Sequence, residues 1–137
     1  YKKFFLYTGN TRYGVQNLEY DAFTNSYFAA VYNGSKPEFP NYSLFAIDAA
    51  KAPFEAELKG LNEKGECLAL KHIGGNSGDI WGIHGEIGTT GLYAFGDGRY
   101  LISQPQRKPD GQCSYIYLYE FNDKKGFTQI NTAEKKL

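Results

Sequence analysis

Apolar positions fall in short runs: Phe4-Phe5-Leu6-Tyr7, Tyr27 to Tyr32, Tyr42 to Ile47, Leu92 to Phe95, Arg99 to Ser103 and Ser114 to Phe121. Each run is rich in aromatic or aliphatic residues and is bounded by Gly, Asn, Asp or Pro, the pattern of β-strands. In Tyr115-Ile116-Tyr117-Leu118-Tyr119 the two-residue period puts tyrosines on one face and aliphatics on the other. No stretch carries a 3.6-residue apolar period. Ala49-Ala50-Lys51-Ala52 has helical propensity, but Pro53 follows at once, so it reads as a turn.

The segments between the runs predict how strands connect. Phe95-Gly96-Asp97-Gly98-Arg99 reads as a tight hairpin, because Asp-Gly tolerates positive φ. Asn122-Asp123-Lys124-Lys125-Gly126 reads as a slightly longer one with a left-handed glycine, and Tyr20 to Tyr27 as a third. Lys36 to Asn41 holds two prolines, which cannot donate to a central sheet, and reads as a connector.

The two halves are alike. Tyr27, Tyr42, Lys51 and Phe54 recur 73 positions on as Tyr100, Tyr115, Lys124 and Phe127. Each half runs strand, hairpin, strand, polar connector, strand, turn, strand. The expected strands are Val15 to Tyr20, Tyr27 to Tyr32, Tyr42 to Asp48 and Phe54 to Leu58, then Thr90 to Phe95, Arg99 to Gln104, Ser114 to Phe121 and Phe127 to Ile130. Phe4 to Tyr7 and Glu66 to Lys71 are expected to belong to partial units, as is Ile80 to Ile83.

This pattern resembles that of β-propeller repeat proteins, whose blades are four-stranded meanders. No Trp-Asp dipeptide, repeated kelch glycine pair or Asp-box accompanies it. The expectation is an all-β chain of antiparallel four-stranded meander repeats forming an incomplete propeller, with a β-sandwich as the alternative. The expected organisation is repeat 1 at about 13–59, a glycine-rich insertion at about 60–88 and repeat 2 at about 89–132. Two blades do not close a ring, so the rest of a longer chain or identical subunits would complete it.

Composition adds exclusions. Lysine plus arginine equals aspartate plus glutamate at 15 each, which gives no electrostatic reason to expect nucleic acid. No apolar run is long enough to span a membrane. The absence of methionine points to a processed or excised chain. Cys67 and Cys113 suit buried thiols or one long-range disulfide; no Cys-x-x-Cys spacing supports redox or zinc chemistry. Asn33-Gly34-Ser35 and Asn41-Tyr42-Ser43 are sequons, and together with the abundant tyrosine they lean towards an extracellular or periplasmic protein.

Candidate chemistry centres on Gly74 to Gly91, which holds seven glycines, the single tryptophan and one of two histidines. A flexible backbone there would bring Asp79, Trp81, His84 and Glu86 around a ligand. No Gly-Lys-Ser/Thr makes it a phosphate loop. His84-Gly85-Glu86 has the one-face spacing of a metal pair, extendable to His72 and Asp79, but the companion motifs are missing and no metal or cofactor is expected. No Gly-x-Ser-x-Gly supports a nucleophile. Twelve tyrosines and ten phenylalanines suit blade packing, with a few rings left for sugar or protein recognition. The expected function is a non-enzymatic binding or scaffolding module recognising glycan or protein. The alternative is a fragment of a polysaccharide hydrolase or lyase using Asp79, His84 and Glu86.

Overall fold

The computed structural model describes residues 1–85, 87–123 and 125–130. Among these residues there are twelve strands and no helix: β1 (Phe4–Phe5), β2 (Thr11–Asp21), β3 (Ser26–Asn33), β4 (Leu44–Asp48), β5 (Phe54–Leu58), β6 (Glu63–Cys67), β7 (Gly75–Ser77), β8 (Ile80–Gly82), β9 (Leu92–Ala94), β10 (Arg99–Lys108), β11 (Gly111–Asn122) and β12 (Gly126–Gln129). The chain is all-β, as its pattern predicts. The sheets run β2-β3-β4, β12-β11-β10-β9, β1-β6-β5 and β7-β8. All pairings are antiparallel except β1 with β6.

Only the second half is a four-stranded meander. In the first half Phe54–Leu58 does not join β4; it pairs with β6 in a separate sheet. The free edge of β4 is covered instead by two fragments. Asp48 N–H donates to Ala69 O and Lys71 N–H to Ala46 O, both at 2.8 Å, and Ile83 N–H donates to Leu44 O at 2.8 Å. The fourth strand position is thus filled by residues 69–71 and Ile83, with β7 and β8 looped out between them.

The polar connector expected between Arg99–Gln104 and Ser114–Phe121 is also strand. β10 and β11 pair without a break from Arg99↔Glu120 to Lys108↔Gly111. Pro105 is tolerated because the β9 side of β10 is paired only as far as Ser103, whose N–H donates to Gly91 O at 3.0 Å; among the described residues no backbone partner lies on that side beyond it. Of the residues matched across the 73-residue offset, Lys124 lies outside the described residues, and among the matched tyrosines burial differs: Tyr42 is buried and Tyr115 exposed. Tyr27 is exposed, whereas Tyr100 is fully buried.

β3 and β4 are central. Phe28 and Ala30 alternate with Ala29 and Val31, and Leu44 and Ala46 with Phe45 and Ile47, and all eight are buried. Such two-faced burial follows from the period of two when both faces are covered. On one face Phe28, Ala30, Leu44 and Ala46 pack against Tyr100, Ile102 and Tyr119 of the second sheet. On the other, Ala29, Val31, Phe45 and Ile47 pack with Tyr42, Ile80 and the partly buried Leu6, Tyr7, Leu68 and Leu70.

A β-bulge decides which side of β2 faces inward. Val15 pairs with Val31 but Asn17 with Ala30, so one extra residue sits between Val15 and Asn17. The slip reverses the alternation and leaves Leu18 and Tyr20 exposed. The polar residues Asn17, Glu19 and Asp21 then point at the second sheet. Asn17 Nδ2 donates to Gly88 O at 3.0 Å, and Ala94 N–H donates to Glu19 Oε1 at 3.1 Å. Tyr100 Oη donates to Asp21 Oδ2 at 2.6 Å with both residues fully buried.

Asp21 also fixes its own turn. It accepts from Phe23 N–H at 3.2 Å, Thr24 N–H at 3.1 Å and Thr24 Oγ1 at 2.7 Å. Asn25 closes the hairpin at φ 50, a conformation that asparagine tolerates well. The two cysteines are free and lie in different sheets, Cys67 in β6 and Cys113 in β11. The Asn41 amide donates to Lys36 O at 2.8 Å and Phe39 O at 3.0 Å, which ties the proline-containing connector together.

Tyr100→Phe is expected to destabilise the fold by about 1.5–3 kcal/mol, because it removes a hydrogen bond to a buried carboxylate; urea unfolding measures this. Burial, and then donation to Asp21, holds the Tyr100 phenol protonated well above its ordinary range. An unfolded tyrosine ionises near pH 10, so above that pH the unfolded state binds fewer protons. Stability is therefore expected to be full below about pH 10 and to fall as pH rises further. Tyr100→Phe should show a shallower alkaline loss.

Candidate functional site

A cleft of about 750 Å³ opens between the β1-β6-β5 sheet and the β7-β8 hairpin. The pairings Phe5↔Cys67, Phe54↔Cys67 and Ala56↔Gly65 place Phe5, Phe54, Ala56 and Cys67 on one sheet face. That face, with Leu58, forms one wall. The opposite face carries Glu55, Glu57, Lys64 and Glu66, all exposed. The sheet is therefore amphipathic by the same alternation that builds it. Gly65 is required at the centre, since a Cβ there would meet the Phe5 ring at 2.9 Å.

The second wall is Tyr7, Leu68, Leu70, His72 and Trp81, with Gly78 and Asp79 at the rim. Trp81 is held from both sides along its strand. Ile80 is buried in the core, and Gly82 is buried where an added Cβ would lie 2.7 Å from Tyr42. Alternation then turns Trp81 towards the cleft. Gly74 has φ +88, and a Cβ on it would lie 2.2 Å from Gly82 O. Gly75 and Gly82 thus allow close packing on the Tyr42 ring, and residues 75–82 form a packed hairpin rather than an open loop. Its turn, Gly78-Asp79, is two residues long with Gly78 at φ +58.

The aromatic and charged groups of the cleft are paired. His72 stacks on Trp81 with centroids 4.4 Å apart and planes 12° from parallel. Lys59 Nζ lies 4.4 Å from the Tyr7 centroid and 3.9 Å from Asp79 Oδ2. The Lys59–Asp79 pair bridges the end of β5 and the hairpin tip. Both side chains are largely exposed, so the bridge contributes little stability and opens easily.

Of the four site residues expected from sequence, the cleft takes Asp79 and Trp81. His84 does not line it; its ring lies 4.6 Å from that of Tyr42, whose phenol is shifted up by burial. Glu86 lies outside the described residues. Asp79 and His84, two of the three groups expected to serve a hydrolase or lyase, therefore sit in different surroundings. Among the described residues no cluster of three or more His, Cys, Asp or Glu side chains could hold a metal ion.

Sequence reasoning missed Lys59 and Tyr7, and weighed His72 as a metal ligand or a partner to a cysteine rather than as a neighbour of Trp81. Tyr7 closes the apolar run that opens the chain, and that run was the one signal pointing to it. Lys59 and His72 become neighbours of Trp81 and Asp79 only through tertiary packing. Comparison with protein-family models, characterised proteins and solved structures returns no match.

His72→Ala is expected to shift the emission of Trp81 to the red, because one indole face becomes wet. An unchanged spectrum would show that the stack is not populated in solution. Gly82→Ala should misplace the hairpin or unfold it by forcing a methyl into Tyr42, at a cost of about 1–3 kcal/mol; thermal unfolding measures this.

Proposed function

We propose that this chain is a non-enzymatic recognition module whose ligand, a glycan or a protein segment, is held in the Trp81 cleft. One observation carries the reading. A large concave surface with aromatic and aliphatic walls carries few polar side chains, Glu57, Lys59, His72 and Asp79, and a single indole on which His72 stacks. Binding sites are typically concave, mostly apolar and furnished with a few placed polar groups. Trp81 is held by a buried neighbour on each side, so little ordering is needed when a ligand arrives.

The proposal extends to architecture. The first sheet and the β9–β12 sheet are read as consecutive units of a propeller-like stack. Face-to-face packing of this kind is common to adjoining blades and sandwich layers. The propeller-like reading is favoured by apolar residues left uncovered on both outer faces. Val15, Leu18 and Tyr20 are exposed on one, and Tyr93, Phe95 and Ile116 on the other. A neighbouring sheet, from a longer chain or an identical subunit, would cover them.

Trp81→Ala is expected to abolish ligand capture while far-ultraviolet circular dichroism stays unchanged. A glycan array and pull-down from the native source, each run with both proteins, make the comparison. Equal capture by the two proteins would place the binding surface elsewhere, and silence of the parent protein in both assays would count against recognition altogether.

A further inference from the structure

β5 is hydrogen-bonded to β6 on one side, and among the described residues no backbone group pairs with its other side. An unpaired edge is a template for another strand, since every second residue presents its N–H and C=O outwards. Natural edges are usually shielded by lysine, proline, bulges or a covering segment. β5 is regular in register along its whole length, and its side chains on the exposed face are glutamates. Its free edge borders the cleft, which Phe54, Ala56, Glu57 and Leu58 all line.

We propose that β5 takes an extended peptide as an added strand, with apolar side chains entering the cleft and basic side chains alternating on the opposite face. The inference rests on reading the cleft as a binding site and names its ligand class. Two observations choose the chemistry. The cleft-side face of the sheet is apolar except at Glu63, which pairs with Leu58 at the end of the strand. The opposite face, by register, has Phe4 and three carboxylates, Glu55, Glu57 (which also reaches the cleft rim) and Glu66, against one ammonium, Lys64, itself 4.0 Å from Glu55. A strand lying beside β5 must match both faces, because its side chains alternate as those of β5 do. Five residues of β5 offer about 17 Å of edge, room for a partner strand of similar length. A glycan fits less well, since its hydroxyls need many fixed polar partners and the walls are mostly apolar.

Trp81, the single tryptophan, reports occupancy directly. The probe is the octapeptide Leu-Lys-Val-Lys-Leu-Lys-Val-Lys, titrated into the protein while tryptophan emission is followed. Comparators are the same peptide with glutamate for lysine, and two versions N-methylated at the lysines only or at the apolar residues only. Soluble chitin and glucan oligosaccharides form a separate arm. The lysine peptide is expected to shift the emission saturably, and the glutamate peptide to bind at least about tenfold more weakly. One N-methylated version should lose binding and the other keep it, because a strand added to one edge uses every second N–H. Glu57→Lys should weaken the lysine peptide several-fold without altering the circular dichroism.

Equal binding of the lysine and glutamate peptides, or equal effects of the two N-methylations, would overturn the strand proposal. Emission that responds to an oligosaccharide but to no peptide would also overturn it, while leaving the cleft as the binding site. Emission that responds to neither would overturn both readings.

Discussion

The carboxylate of Asp21 is fully buried, and among the described residues no cation is near enough to pair with it. Leaving such a group unsatisfied would be among the most expensive errors a small β-protein could make. Here four donors surround it: two backbone N–H groups and a hydroxyl from its own turn, and the Tyr100 hydroxyl from the other sheet. The first three shape the hairpin between β2 and β3. The fourth can form only when the second sheet is stacked in one register. A local turn and a long-range interface are therefore stabilised by the same side chain. The Tyr100 ring that delivers the hydroxyl packs edge-on to Phe28 and Phe127, so apolar contact and polar satisfaction demand the same geometry.

That constraint accounts for an otherwise puzzling strand. β2 contains Val15, Leu18 and Tyr20, and a hydrophobic reading would turn them inwards. The bulge after Val15 instead sends Asn17, Glu19 and Asp21 inward, where Glu19 and Asp21 find partners on the second sheet and Asn17 finds Gly88 O in the segment before β9. The interface is thus apolar along β3 and β4 and hydrogen-bonded along the β2 edge. Apolar packing resists separation but tolerates sliding, whereas directional bonds at one margin set orientation. The cost is apolar surface exposed on the outer side of β2.

Much of the fold was legible because period-two alternation and turn chemistry act locally. Asp97-Gly98, the asparagine-containing turn before Ser26 and the proline-rich connector all stand where their residues require. The strand content of β3, β4, β9 and β11 follows from composition alone. The β10–β11 extension was not legible, because residues 104–113 are polar and their pairing is driven by the register of the neighbouring apolar stretch. The destination of β5 was hidden for a similar reason: Phe-Glu-Ala-Glu-Leu alternates well, but alternation does not name a partner. In the site, Trp81 and Asp79 were visible as rare or charged residues in an unusual segment. His84 is equally rare, yet one hairpin carries it to the Tyr42 ring instead. Nothing in a linear pattern says which way a glycine-rich hairpin folds when the deciding contacts are Gly74 with Gly82 and Gly82 with Tyr42.

The cleft exists because the first sheet lacks a continuous fourth strand. A single strand beside β4 would have needed only a short link and would have left no surplus chain. Residues 69–71 and Ile83 satisfy the β4 edge in two pieces, and everything between and before them is displaced outwards: β7 and β8 as one hairpin, β5 and β6 as another. Two displaced hairpins cannot both pack on the same sheet, so their apolar faces confront each other across a gap. One end of that gap is bridged by the weak Lys59–Asp79 pair. Across the interruption the Leu44 N–H and C=O, the Ala46 C=O and the Asp48 N–H are still met. The site therefore arises where the meander departs from regularity, while the regular sheets around it hold Trp81 in place.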